Sequence, residues 1–199
     1  MVATLKTSAE RLGEAKHCSY IDGMNTSQLQ LLKDILSVPT KTHEEGRLVD
    51  FLVDYFDRKE VGLMKDDMGN LMVVKGNADY YPCVVAHTDT VHHIDGEIDI
   101  RTVQRPNTCG DMRTALTDDP TGCGGDDKAG VFICLQLFEQ FDNIKLFFPV
   151  AEETGCHGSK AVDSRWFDDV GYIIQFDSPT NNTMSRTLMG RTLYDDQSG

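Results

Sequence analysis

The stretch YPCVVAHTD, residues 81–89, is a compact apolar run that ends directly in a histidine and an aspartate. Short apolar runs of this kind are typical of buried β-strands. Two later segments repeat the arrangement: KLFFPVAEE at 145–153 and VGYIIQFD at 170–177. The sequence therefore predicts three buried strands, each followed at once by histidine, glutamate or aspartate.

Helical patterns lie between and before these strands. Leucines with helical spacing begin after a capping residue at Thr26 or Ser27, and Pro39 ends that helix. Thr42, with Glu45 three residues later, is a capping-box signature for a second helix. A third helix follows the glycine-rich segment TGCGGDD, residues 121–127.

The order of elements indicates the fold class. The segment LMKDDMGNLMVVKG, residues 63–76, predicts two short strands around a turn at Gly69 and Asn70. Strands that alternate with helices favour a sheet covered on both faces. We therefore predict an α/β three-layer sandwich with a central mixed, mostly parallel sheet, in which ligands bind at the carboxyl ends of the strands. Residues 95–120 are polar and without clear periodicity.

Composition limits the function classes. The chain has 199 residues, 40% of them hydrophobic, which suits one globular domain. The formal net charge of −13 argues against partners such as nucleic acid or an anionic membrane surface. The sequence shows neither a signal-peptide pattern nor an apolar run of membrane length, which favours a soluble, cytoplasmic protein. Its six cysteines are scattered without a CxxC pair, and we expect their thiols to be reduced. We expect a lead-in over residues 1–25 and one domain over 26–199.

Metal-ligand residue types lie at the predicted strand ends and in the glycine-rich turn. His87, Asp126, Glu153 and Asp177, each on a different element, together offer imidazole and carboxylate groups to two metal ions. Asp89 is placed to hold the far imidazole nitrogen of His87, and so to fix its tautomer. In the pair Glu152 and Glu153, one carboxylate can bind metal while the other takes a proton from water.

Three motifs resemble those of the co-catalytic zinc exopeptidases and deacylases, typified by peptidase T, glutamate carboxypeptidase and succinyl-diaminopimelate desuccinylase. They are VVAHTDTVH at 84–92, GCGGDDKAGV at 122–131 and AEETGCHGS at 151–159. GNLMVVKG upstream and IIQFDSP downstream extend the resemblance over roughly residues 26–180 in the family's order. The GDDKAG form is similar to the tripeptidase branch.

The resemblance implies a role for each site residue. It makes His87 and Asp177 ligands of one metal, Asp126 the bridge between the metals and Glu153 a ligand of the second. It also makes Glu152 the general base and Asp89 the orienting carboxylate, both counted as catalytic. A cis peptide bond is implied between Asp126 and Asp127.

One feature departs from the family pattern. Members complete the second metal's coordination with a histidine far toward the C-terminus, beyond an inserted lid domain, whereas no histidine follows His157 here. The catalytic domain is a C-terminally incomplete fragment, or a partner chain supplies the ligand, or water or an N-terminal residue takes the position. We favour the fragment, because the absent segment also completes the family's sheet.

These observations predict a dizinc metallopeptidase of aminopeptidase or tripeptidase type. A hydroxide between two zinc ions would hydrolyse an amide bond in a small peptide, although cobalt or manganese could occupy similar ligands. Two alternatives stay open: a deacylase of N-acyl amino acids or metabolites, and a non-catalytic metal-binding remnant. Each of these three hypotheses is compatible with a homo-oligomer.

Overall fold

The computed structural model describes residues 23–91, 98–106, 112–117, 123–177, 187–188 and 191–192. Most of the predicted lead-in, residues 1–22, lies outside the described residues. So do His92, Gly122 and residues 178–179, which are the ends of three quoted motifs.

Helices and strands alternate along the described chain much as the sequence predicts. The helices are α1 (Thr26–Ser37), α2 (Gly46–Asp57), α3 (Gly125–Gln140), α4 (His157–Ala161) and a 3₁₀ helix (Ser164–Phe167). The strands are β1 (Gly62–Lys65), β2 (Leu71–Lys75), β3 (Tyr81–Val85), β4 (Arg101–Pro106), β5 (Met112–Thr117), β6 (Ile144–Phe148), β7 (Val170–Gln175), β8 (Thr187–Leu188) and β9 (Arg191–Thr192). None of the described helices is both long enough and apolar enough to cross a membrane.

The first two helices begin differently from the prediction. In α1 the N-cap is Asn25, whose side chain accepts from the Gln28 backbone N–H at 2.9 Å while the Gln28 side chain accepts from Asn25 N–H at 3.1 Å. The cap is thus a capping box at Asn25, one residue before Thr26 and two before Ser27, the predicted capping residues. The predicted box of Thr42 and Glu45 is wrong. Glu45 is itself the N-cap of α2 and makes no side-chain capping bond, because its carboxylate binds elsewhere.

The central sheet has five strands in the order β1-β2-β6-β3-β7. Pairs β1–β2 and β2–β6 are antiparallel, whereas β6–β3 and β3–β7 are parallel. The prediction of a mixed sheet is confirmed, but "mostly parallel" is wrong. The tight turn after β1 reverses the chain, so β2 runs antiparallel to β1. On its other side β2 also pairs antiparallel with β6, with Leu71 opposite Phe148.

The three parallel strands are the ones that run into the candidate site residues. Because β6, β3 and β7 are adjacent and point the same way, their carboxyl ends meet at one edge of the sheet. Alternate residues of each strand face opposite sides. One side packs against α1, α2 and α3 through a large core that includes Ile35, Leu52, Val84, Leu135 and Leu146.

The opposite face of the sheet carries a smaller core, which makes the third layer. Met72, Cys83, Val85 and Phe147 pack there against Trp166 and Phe167 of the 3₁₀ helix. The Phe147 ring lies edge-on to Phe167, with centroids 5.4 Å apart. The three-layer arrangement is thus present, with a thin layer on this side.

The polar segment at 95–120 contains structure that the sequence pattern does not reveal. Strands β4 and β5 form an antiparallel hairpin in which Arg101 lies opposite Thr117 and Pro106 lies opposite Met112. The sequence of this segment shows no clear periodicity of apolar and polar residues, so it predicts neither strand.

Candidate metal centre

His87 follows β3 and is almost completely buried, with 1% of its surface exposed. Its Nδ1 lies 3.0 Å from the backbone oxygen of Asp89 and 3.5 Å from the Asp89 carboxylate. Nδ1–H therefore donates to Asp89, so that in the neutral imidazole Nε2 carries the lone pair that can bind a metal ion. Nε2 faces the site, 3.3 Å from Asp126 Oδ1 and 4.0 Å from Glu152 Oε2.

Asp89 joins the end of β3 to the loop that follows β6. Its fully buried carboxylate accepts from the backbone N–H groups of Glu152, at 2.8 Å, and Glu153, at 3.2 Å. The Thr42 hydroxyl donates to the same carboxylate at 2.8 Å. Burial would raise the pKa of Asp89, but the hydrogen bonds from His87, Glu152 and Thr42 lower it to about 2. Asp89 is thus a charged anchor for both neighbouring loops.

The glycine-rich turn before α3 brings Asp126 to the site. Gly124 has φ +63° and lies so close to Thr90 that an added Cβ would stand 2.5 Å from its methyl carbon, so only glycine fits. The Asp126–Asp127 peptide bond is cis, as the family resemblance implies. Asp126 is 71% exposed beside His87, whereas Asp127 is buried and accepts from Gly130 N–H at 3.0 Å.

Negative charge accumulates around the single imidazole. Burial raises the pKa of Glu153, and the charges of Asp126 and Glu152 raise it further. The pKa of Asp177 is likewise raised, first by burial and then by the same two carboxylates. Burial would lower the pKa of His87, yet its bond to Asp89 and the surrounding carboxylates raise it to about 9. Carboxylates that repel one another in this way are relieved by a bound cation.

Two groups of residues have ligand atoms close enough to hold a metal ion. One is His87, Asp126 and Glu153, and the other is His87, Glu152 and Asp177, with the atoms of each group within 4.8 Å of one another. The fold therefore brings together all four predicted ligands and the predicted base. The grouping puts Glu152 beside Asp177, and the individual role of each residue stays a prediction. Imidazole and carboxylate donors suit zinc, and also cobalt or manganese.

Cys156 contacts the predicted base. Its Sγ–H donates to Glu152 Oε1 at 3.3 Å, and its backbone N–H donates to the Glu152 carbonyl at 2.8 Å. Burial and the Glu152 charge raise the pKa of this thiol, so it stays protonated and remains a donor at neutral pH.

Sequence reasoning missed Lys128 as a support of the site. The side chain is buried, and its ammonium donates to three backbone oxygens: Leu36 at 3.3 Å, Val38 at 2.5 Å and Cys123 at 2.9 Å. Lys128 thereby ties the glycine-rich turn to the end of α1. Two of the acceptors lie about 90 positions away in sequence and are backbone atoms, so no residue type marks them.

Several solved structures share this fold, although no family model and no curated protein matches the chain. A tripeptidase from Staphylococcus aureus superposes with a TM-score of 0.60 at 20% identity, over 76% of this chain and 43% of that one. An aminoacylhistidine dipeptidase from Vibrio alginolyticus gives 0.61 at 19% identity, over 78% and 34%. The aminopeptidase PepT of Bacillus cereus gives 0.59 at 23% identity, over 76% and 43%.

The chain therefore spans less than half the length of each of these three proteins. At such identities the likeness concerns the fold. The described part of the chain has the fold shared by these peptidases, as the motifs at 84–92, 122–131 and 151–159 predict.

Proposed function

We propose that the chain carries the metal-binding site of a hydrolase that cleaves an amide bond in small peptides, of the aminopeptidase or tripeptidase type. The observation that carries this proposal is the meeting of one buried imidazole with four carboxylates at one edge of the sheet, where three parallel strands end and the turn before α3 adds Asp126. The three structural neighbours are all peptidases, which supports the same class of reaction.

The residues present fit two divalent metal ions, with zinc preferred. His87, Asp126, Glu153 and Asp177 would hold them, and Asp126 is the proposed bridge. When bound, such ions lower the pKa of water and polarise the substrate carbonyl. The mutual repulsion among Asp126, Glu152 and Glu153 supports a cation at this place.

Glu152 is the proposed general base. It is partly exposed, so substrate and water can reach it, and one of its oxygens faces His87 Nε2 at 4.0 Å. Its other oxygen is engaged by the Cys156 thiol, which limits rotation of the carboxylate. Glu152 would take a proton from the attacking water and deliver it to the leaving amine. Asp89 would hold His87 and the Glu152 backbone in place during both steps.

The test combines metal analysis with one substitution. Protein purified without chelator is analysed for zinc, cobalt and manganese, and hydrolysis of Leu-Gly-Gly is followed for wild type and Glu152→Gln. We expect Glu152→Gln to keep its metal and to lose about 10²- to 10⁴-fold in kcat, the usual contribution of a general base. Glu60→Gln, at an exposed position on the same chain, is the control and should match wild type.

The outcomes separate the remaining hypotheses. Hydrolysis of N-acyl amino acids with no cleavage of Leu-Gly-Gly would replace the peptidase by a deacylase. Wild type and Glu152→Gln that both bind metal and are equally inactive on both substrates would refute hydrolysis by this chain.

A further inference from the structure

We infer that Glu45 is a positioning residue for the acidic segment Ala151–Glu153, and hence for the metal centre. This inference rests on the proposed function and adds a residue to its machinery. Glu45 is buried, with 6% of its surface exposed, although it lies in the loop before α2. Its Oε1 accepts from the backbone N–H of Ala151 at 3.0 Å and from that of His43 at 2.9 Å.

Three consecutive backbone amides of the acidic segment end on two buried carboxylates. Ala151 N–H donates to Glu45, and the N–H groups of Glu152 and Glu153 donate to Asp89. Hydrogen bonds to charged acceptors are shorter and stronger than neutral ones. Glu45 thus does for the first residue of the segment what Asp89 does for the next two.

The backbone at Ala151 explains why such a bond is needed. Ala151 has φ +50°, a left-handed conformation that residues with a Cβ rarely adopt. It is the residue at which the chain turns after β6 to aim Glu152 and Glu153. His43, the second donor to Glu45, has φ +73°. One carboxylate oxygen therefore holds two left-handed residues, one in each loop.

Thr42 strengthens the link between the same two regions. Its hydroxyl donates to Asp89 at 2.8 Å, so the loop 42–45 contains one of the two buried carboxylates and contacts the other. Glu45 reaches neither the predicted metal ligands nor the base directly. It acts through the Ala151 amide, and its removal should release the turn while leaving every ligand side chain in the protein.

The experiment measures zinc affinity by competition with a chromophoric chelator and amide hydrogen exchange by NMR. Glu45→Ala should weaken zinc binding about 10- to 100-fold, the range usual for residues that hold metal ligands in place. It should also speed exchange at Ala151 more than at the buried strand residue Met72. Glu45→Gln, whose amide oxygen can accept both N–H groups, should lie closer to wild type. Glu44→Ala, at the exposed neighbouring position, is the matched control.

A second variant tests whether Glu45 acts through Ala151. Glycine adopts φ +50° without a steric penalty, so Ala151→Gly should restore part of the zinc affinity lost in Glu45→Ala. No restoration in the double variant would overturn the inference, as would unchanged affinity and exchange in Glu45→Ala. If Glu45→Ala does not fold, exchange in Glu45→Gln decides: a selective rise at Ala151 supports the inference, and an equal rise at Met72 overturns it.

Failure of the proposed function would be distinguishable. A wild-type chain that hydrolyses no substrate refutes the activity, whereas zinc affinity and amide exchange still report on Glu45. Exchange at Ala151 is measured on chelator-treated protein, so it does not depend on metal binding.

Discussion

Replacing Asp89 by asparagine tests how the site is held together. The Asp89 carboxylate takes two backbone N–H groups and one hydroxyl, and its pKa lies at about 2 against an ordinary value of 3.8. That difference corresponds to about 2 kcal/mol of native-state stability. Asparagine has one acceptor oxygen, so at least one buried N–H of the Glu152–Glu153 pair loses its partner, at about 1–3 kcal/mol. Because the two contributions overlap, we expect Asp89→Asn to cost about 2–4 kcal/mol.

The sign of the pH dependence follows from the lowered pKa. An aspartate whose folded pKa is depressed stabilises the native state above its unfolded pKa of 3.8, and the stabilisation is lost as the pH falls through about 2. Asp89 also helps to raise the pKa of His87 from 6.5 to about 9, and this contribution is fully present only below about pH 6.5. The difference between wild type and Asp89→Asn should therefore be constant between about pH 6 and about pH 4, should shrink below pH 4 and should also shrink as the pH rises toward 9. Urea unfolding of chelator-treated protein at stepped pH measures this difference.

A matched control separates an effect on the site from a general loss of stability. Asp163 also accepts a backbone N–H group, from Arg165 at 3.0 Å, but at an exposed position away from the site. Asp163→Asn should leave zinc affinity unchanged, whereas Asp89→Asn should lower it about 10- to 100-fold. Unfolding free energies for Asp89→Asn within about 0.5 kcal/mol of wild type at neutral pH would refute this account of Asp89, since that is the usual range for surface changes.

Three further predictions concern the supports of the site and its metal. Lys128→Met should lower the free energy of unfolding, measured in urea, by about 3–5 kcal/mol, because three backbone carbonyls lose their donor, a buried ammonium. Lys160→Met, which removes one exposed bond to Gly155, should cost less than about 1 kcal/mol. Gly130→Ala should cost about 1–3 kcal/mol of unfolding free energy, since its Cβ would stand 2.1 Å from Asp127 Oδ1. Gly46→Ala is the control and should be nearly neutral, because the space around Gly46 is open. Equal melting temperatures of the two variants would contradict this. Zinc at about 100 times its Kd should stabilise the chelator-treated protein by about 2.7 kcal/mol, and unchanged calorimetric melting on adding zinc would argue against the site.

The local pattern of the sequence was sufficient for the elements that carry the site. Buried strands are short apolar runs, and each of the runs ending at His87, Glu152 and Asp177 is bounded by polar residues, so both their type and their ends can be read. Parallel neighbours then place their carboxyl ends at one edge, and this is where the structure brings the three residues together. The predicted positions followed from chain-local information and one topological rule.

The helix starts show where the local pattern fails. Thr42 and Glu45 have the spacing of a capping box, yet Thr42 donates to Asp89 and Glu45 accepts from Ala151, 106 positions away. A carboxylate can accept from an N–H group of its own helix or from a distant backbone N–H group. Burial of Glu45 against the loop that follows β6 favours the distant N–H group. Nothing in the residues between 42 and 45 distinguishes these outcomes.

The sequence by itself determined the three long helices, the three parallel strands and the ligand-type residues that follow those strands, because apolar periodicity and residue chemistry are local properties. Only the tertiary structure decided the mixed direction of the sheet, the partners of Lys128 and the attachment of Glu45 to Ala151. Each of these depends on which backbone atoms, remote in sequence, come within hydrogen-bonding distance after the chain has packed. Backbone N–H and C=O groups are the same at nearly every position, so no residue type marks them in advance.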